Sequence, residues 1–179
     1  MTLKLISEAI AKDKIVQGAL SDLDSGLKVR LAVTKSSIPY LAATVAESRP
    51  VVLIASTERA AQDLANALTD FVSEENIAVF PAWETLPHER LSPSSDTVGR
   101  RMAVLRRLAH PKEIAPITVL VTSARAFIQP IVAGLGDVPA LNIATGDDFP
   151  LEKLVSELSR LGFDRVDLVD RRGQFAVRG

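Results

Sequence analysis

Residues 51–55, Val-Val-Leu-Ile-Ala, form an uninterrupted apolar run, and a polar helix start, Ser56-Thr57-Glu58, follows at once. A strand with one wet face alternates apolar and polar side chains, whereas a continuous apolar run marks a strand covered on both faces of a parallel sheet. The next segment sets Ala60, Ala61, Leu64, Ala65, Leu68 and Phe71 at the spacing of one helix face. Short Val/Ile-rich runs recur at 77–80 and 119–122, the latter leading into Ser123, a favourable helix cap. Strands alternating with helices predict an α/β parallel sheet with right-handed crossovers. A further strand of that sheet is expected at 29–33, within the alternation of Leu27, Val29, Leu31 and Val33.

That expected strand leads into a tract, Leu31 to Tyr40, followed by an Ala-rich helical segment at 40–47. Strand, loop and helix in this order are the setting of the phosphate-cradling GxxxxGK[ST] loop. The cradle needs glycines so that successive N–H groups face one anion, a lysine for the β/γ-phosphates and a hydroxyl for Mg²⁺. Here Ala32, Lys35 and Ser37 stand in the glycine positions, Ile38 in the lysine position and Pro39 in the Ser/Thr position. Two readings stay open on this tract alone: a nucleotide-binding architecture stripped of its chemistry, and an ordinary strand–turn–helix.

At 179 residues the chain suits one ordinary domain or two small ones, and 47% hydrophobic with 24% charged residues is a globular composition. The net charge of −1 gives no whole-molecule attraction to nucleic acid. There is no cysteine, which removes disulfides, thiolate nucleophiles and Cys-based zinc sites, and His88 and His110 lie too far apart in sequence to read as a metal pair. Residues 1–20 interleave charge with apolar side chains and carry no signal-peptide core, and no run approaches the roughly 20 apolar residues of a membrane span. A cytoplasmic protein without membrane contact is expected.

Residues 81–93 read as an ordered loop punctuated by Pro81, Pro87 and Pro93, with the sole tryptophan, Trp83, at its start. An amphipathic helix follows at 96–109, with Val98, Met102, Leu105 and Ala109 on one face and Arg100, Arg101, Arg106 and Arg107 flanking it. Gly134, Gly136, Asp137 and Pro139 mark a seam. Beyond it a small α+β unit is expected: strand 140–144, helix 151–161 stopped by Gly162, then strands 163–169 and 175–177 joined by a hairpin turn at Asp170-Arg171-Arg172-Gly173. The chain stops one residue after Arg178 on a strand with no polar tail, which reads as a piece of a longer protein.

Three segments together carry a resemblance. Phe80-Pro81-Ala82-Trp83-Glu84-Thr85-Leu86-Pro87 with Ser92-Pro93-Ser94-Ser95-Asp96, the strand and turn Val119 to Ala126, and Gly162-Phe163 through Val166-Asp167 with Arg171 to Gly179 resemble the bacterial transcription-repair coupling factors. The last of these is similar also to the excision-repair subunit UvrB. The resemblance runs from about Val29 to the end. It implies a degenerate helicase-like, P-loop-type parallel sheet domain at 1–138, without a functional P-loop, and at 139–179 the start of a small α+β domain that contacts UvrA. It further implies that the ATPase motor with its ATP and Mg, and the contacts with RNA polymerase and DNA, belong to downstream parts of a longer translocase. This chain itself is then expected to bind no cofactor or metal and to be an interaction and regulatory module rather than an enzyme. UvrB carries an aromatic hairpin between the equivalents of the Trp83 loop and the Asp96 helix; the short proline-rich connection here departs from that and argues against damage verification.

By the resemblance, Arg178 matches the arginine of the F/Y-A-x-R-G tract that takes part in UvrA contact; read alone it is an exposed strand arginine. Arg171 and Arg172 are solvated turn residues or auxiliary contacts, and Phe175 is expected in the core. Arg100, Arg101, Arg106 and Arg107 could track a phosphate backbone but read as a solvated helix flank. Trp83 reads as packed under its own loop rather than as an interface anchor. His88-Glu89-Arg90 has no nucleophile nearby and reads as structural; Asp167 and Asp170 resemble a Walker-B pair only superficially. The competing function is a nucleotide- or nucleic-acid-binding ATPase or helicase fragment.

Overall fold

The computed structural model describes residues 9–85 and 92–178. The tripeptide His88-Glu89-Arg90 and Leu86 lie outside these residues.

Three parallel strands make the central sheet in the order β1-β3-β2, with β1 at Val51–Ala55, β2 at Ile77–Phe80 and β3 at Val119–Ser123. Val51 pairs with Val119 and Ile77 with the same Val119, so all three strands start at one level and end together. The central strand β3 is buried almost throughout. Its side chains alternate between faces, as a strand's must. Val119 and Val121 face a cluster with Ala61, Ala65 and Leu68 of helix α3 (Glu58–Leu68) and Ala42 of helix α2 (Ile38–Ala46). Leu120 packs instead on a cluster of Ala78, Phe80, Ala82, Ala126 and Val104, the last from helix α4 (Ser95–Ala109). The result is an α/β/α sandwich of helices on both faces of a small parallel sheet.

The caps agree with the residues that start each helix. Thr57 Oγ1 accepts from Ala60 N at 3.1 Å to start α3, and Ser123 Oγ accepts from Ala126 N at 3.0 Å to start the short α5 (Ala124–Ile128). Tyr40 and Phe71 meet edge to face at 6.1 Å beside α2.

Several expectations are corrected. Residues 29–33 join no sheet. Val29 and Leu31 turn toward Val16, Leu20, Leu41 and Val45, an apolar cleft between α2 and a helix not anticipated from the sequence, α1 (Lys14–Asp24). Helix faces thus satisfy the alternation that a sheet was expected to satisfy. Asp13 starts α1, accepting from Ile15 N at 2.8 Å. β1 is an edge strand, not one covered on both faces: Val52 is 52% and Ile54 49% exposed.

The C-terminal unit also differs. Residues 140–144 form no strand; Ala144 N donates instead to Asp147 Oδ2 at 2.8 Å. Helix α6 (Leu151–Arg160) forms as expected, with the left-handed Gly162 (φ 84°) beyond it. The two last strands, β4 (Asp164–Arg165) and β5 (Gln174–Phe175), are two residues each and pair in parallel, so there is no hairpin. Asp164 N donates to Gly173 O and Val166 N to Phe175 O, both at 2.9 Å. The connection loops back on itself because Gln174 Oε1 accepts from the N–H groups of Asp170 and Arg171, at 3.2 and 3.3 Å.

The expected seam is packed rather than open. A short 3₁₀ turn, Leu135–Asp137, lies on α4. A Cβ on Gly136 would stand 2.7 Å from the Leu105 carbonyl oxygen, so only glycine permits this approach. Arg106 Nη1 donates to Val138 O at 3.2 Å beside it.

Candidate docking surfaces

The tract Ala32 to Pro39 keeps the loop-then-helix half of its expected setting without the leading strand. Lys35–Ser37 forms a 3₁₀ turn. Thr34 Oγ1 bonds Ser37 Oγ at 2.6 Å and Ser36 Oγ at 3.1 Å, so the three hydroxyls satisfy one another. Ile38 is half-buried, Pro39 buried in the first turn of α2, and Ala32 and Lys35 exposed.

At the carboxyl ends of the strands lies a network that sequence reasoning missed. Arg101, expected on a solvated helix flank, is 2% exposed. Its guanidinium stacks 4.1 Å from the Phe80 ring centroid, and its Nη1 donates to Pro81 O at 2.6 Å. The same guanidinium also lies over the Trp83 ring. Burial pulls the Arg101 pKa below its ordinary value, and the Glu58 carboxylate opposes that. Glu58 in turn accepts from Ala82 N at 3.2 Å and from the Ser123 hydroxyl. The fully buried residues of α4 are therefore Thr97, Arg101 and Val104; of the expected face Leu105 packs half-buried against the same core, while Val98 and Ala109 are exposed. The one signal in the sequence was spacing: Arg101 falls one turn from both Thr97 and Val104, facing the only tryptophan.

The Trp83 loop is pinned at both ends, as its packing under the chain required. Trp83 N donates to Gln129 Oε1 at 2.8 Å. Glu84 accepts from Ser94 Oγ at 2.6 Å and from the Thr97 hydroxyl, while Ser94 Oγ caps Thr97 N. Burial raises the Glu84 pKa, but the Ser94 and Thr97 hydroxyls, with backbone donors, outweigh it and hold the carboxyl below its usual value. Arg107, also expected to be solvated, is tied to the backbone of Ala115 at 3.1 Å.

In the C-terminal unit Phe175 is buried and Arg178 exposed. The strand pairing ends at Phe175, so Arg178 lies beyond the ladder rather than on an alternating strand face. Arg171 is exposed. Arg172 is solvated as expected, and its guanidinium also pairs with Asp96 in the first turn of α4. Gly173 beside it, at φ 85°, leaves room for Ser95, whose Oγ would lie 2.5 Å from an added Cβ. The turn at 170–173 thus rests on the N-terminus of α4. Among the described residues no cluster of three or more His, Cys, Asp or Glu could hold a metal, and no helix is long and apolar enough to cross a membrane.

This turn and the exposed Arg178 lie within a region of known type: residues 141–179 match the family described as the UvrB interaction domain. Over 155 residues, 85% of its length, the chain is 46% identical to the transcription-repair-coupling factor of Mycobacterium tuberculosis, and it is 26% identical over 175 residues to that of Bacillus subtilis. It is also 27% identical over 177 residues to the UvrABC system protein B of Vibrio parahaemolyticus. The chain belongs to the transcription-repair-coupling factor family, the family its FPAWETLP and GQFAVRG tracts resemble. The chain covers 97% of its own length in the Bacillus match but spans only 12% of the Mycobacterium and 14% of the Bacillus relative, and 26% of the Vibrio one.

Proposed function

We propose that this chain is a protein-docking module of a longer transcription-repair-coupling factor, and that its C-terminal unit recruits the damage-binding subunit UvrA in nucleotide excision repair. The observation that carries this is Arg178, exposed just past buried Phe175 inside the segment that matches the UvrB interaction domain. A guanidinium there presents a planar donor fork to a partner carboxylate at little desolvation cost. Residues 1–138 are in this reading a helicase-like domain that has lost nucleotide chemistry, and 139–179 the start of the docking domain. The self-satisfied hydroxyls of Thr34, Ser36 and Ser37 and the buried Pro39 support the loss. Contacts with RNA polymerase and DNA, and an ATP·Mg motor, fall to other parts of the longer cytoplasmic protein.

The test is Arg178→Ala, assayed by surface plasmon resonance against UvrA, in this chain and in the longer factor. An interface arginine that is a hot spot costs about 2 kcal/mol or more on truncation, roughly thirtyfold in affinity. The expected result is that loss with an unchanged melting temperature. Unchanged binding would return Arg178 to the solvated surface, and an early melt would make it structural.

A further inference from the structure

Five of the large apolar side chains that the fold leaves exposed, Val98, Ile114, Val138, Phe163 and Val169, line one groove. It runs between α4 and the C-terminal unit with a volume of about 1570 Å³. Small-molecule sites are usually about 300–1,000 Å³. The groove is thus of a size for a polypeptide segment. Aliphatic surface gathered in one concave place, rather than scattered singly, marks a binding face.

Charge says which kind of segment. Arg100, Arg106, Arg107, Arg171 and Arg172 line the groove against only Asp96 and Asp170, although the chain as a whole carries −1. Glu113 engages Arg106, the backbone of Ala115 engages Arg107, and Asp96 engages Arg172. Arg100 on α4 and Arg171 on the opposite wall are exposed and make no ion pair with another described residue. Two exposed guanidiniums on the walls of an apolar groove, neither ion-paired to another described residue, complement carboxylates that flank apolar anchors. A nucleic-acid backbone fits less well, because Asp96 and Asp170 stand in its track and the floor is aliphatic rather than aromatic.

We propose that this groove docks an acidic peptide segment of a partner protein, one whose apolar residues sit on Val98 and Phe163 while its carboxylates reach Arg100 and Arg171. Arg178 does not line the groove, whereas Arg171, an auxiliary contact in the UvrA reading, does; the two readings are told apart by Arg178→Ala, which bears on UvrA binding alone.

The probe is a fluorescein-labelled synthetic helical peptide with leucines at i, i+3, i+4 and i+7 and glutamates flanking them, titrated with the 179-residue chain by anisotropy. Saturable binding is expected, weakened about tenfold or more by the double charge reversal Arg100→Glu/Arg171→Glu, as like charges are set against its carboxylates. Val98→Ser is expected to weaken it too, while Arg178→Ala leaves it unchanged. Because Arg100 and Arg171 are exposed, the fold should survive; if the reversed variant melts early, Arg100→Gln/Arg171→Gln makes the same comparison. Three results would overturn the proposal. One is no binding, or equal binding of a peptide with lysine in place of glutamate. Another is a single-stranded oligonucleotide that binds with the same arginine dependence but is indifferent to Val98→Ser, which would make the groove a polyanion track. The third is concentration-dependent dimerisation abolished by the same variants, which would make a second copy its occupant.

Discussion

The guanidinium of Arg101 lies 4.2 Å from the centroid of the Trp83 ring, making a positive charge one of the best-buried groups in the chain. A buried cation is tolerated where rings and a carbonyl replace the water it loses, and here Phe80, Trp83 and Pro81 O supply them. Arg101→Ala should therefore cost about 3–5 kcal/mol, the range for removing one member of a buried charge network. Arg101→Lys keeps the charge but not the plane that lies over two rings, so it should fall between alanine and wild type. Urea unfolding followed by the fluorescence of Trp83, the sole tryptophan, reads both. A wild-type midpoint for the alanine variant would show that the stack contributes nothing.

Gly173 is the contact point between the C-terminal unit and α4. Gly173→Ala forces a left-handed backbone on alanine and sets its Cβ 2.8 Å from the Ser95 Cβ. Gly146 has a similar φ of 95° with nothing within 4 Å, so Gly146→Ala carries the backbone strain alone. Strain of this kind costs about 1–3 kcal/mol. The Gly173 variant should be destabilised beyond the Gly146 one and should lose hydrogen-exchange protection at the start of α4. Equal effects would mean that Ser95 yields freely.

The Glu84 carboxyl should titrate below its ordinary value of 4.5, since it accepts from Ser94 and Thr97. A depressed carboxyl contributes stability in full above its unfolded value and loses it as acid carries the pH down through the folded one. The advantage of wild type over Glu84→Gln should thus be constant from neutral pH to the 4.5 of the unfolded group and shrink further into acid. Carbon-detected NMR titration of the Glu84 side chain, with melting curves of both proteins, checks the direction; a midpoint above 4.5 would contradict it.

ATP·Mg should not bind at Ala32 to Pro39. No glycine nest, no lysine in the phosphate position and no free hydroxyl stand there. Calorimetric titration should give dilution heats only. A micromolar site abolished by Lys35→Ala would restore the competing reading of a nucleotide-binding fragment.

What was legible in the sequence is what local chemistry decides. The apolar runs of β1, β2 and β3, the Thr57 and Ser123 caps, and the Gly162 stop each depend on a few neighbouring residues, and each falls where expected. Where two elements compete for the same pattern, the sequence was silent. The alternation of Val29 and Leu31 fits a sheet and a cleft between helices equally well, and α1, which makes that cleft, was not recognised. The loop at 170–173 has hairpin chemistry, but the Gln174 side chain takes the turn's N–H groups and redirects the strand. Arg101 was assigned to water because arginine is seldom buried; its partners lie about twenty positions away, where helical spacing gives no information.

The Arg172–Asp96 pair joins the C-terminal unit to the first turn of α4. Arg178 stands six positions beyond Arg172 in the chain. The chain leading to Arg178 is joined to the first turn of α4 by that exposed ion pair and by the Gly173–Ser95 contact, and α4 is joined through Arg101 to the end of β2. In the docking reading proposed above, a load on Arg178 would therefore be carried by one helix and by the contact of two aromatic rings with one arginine.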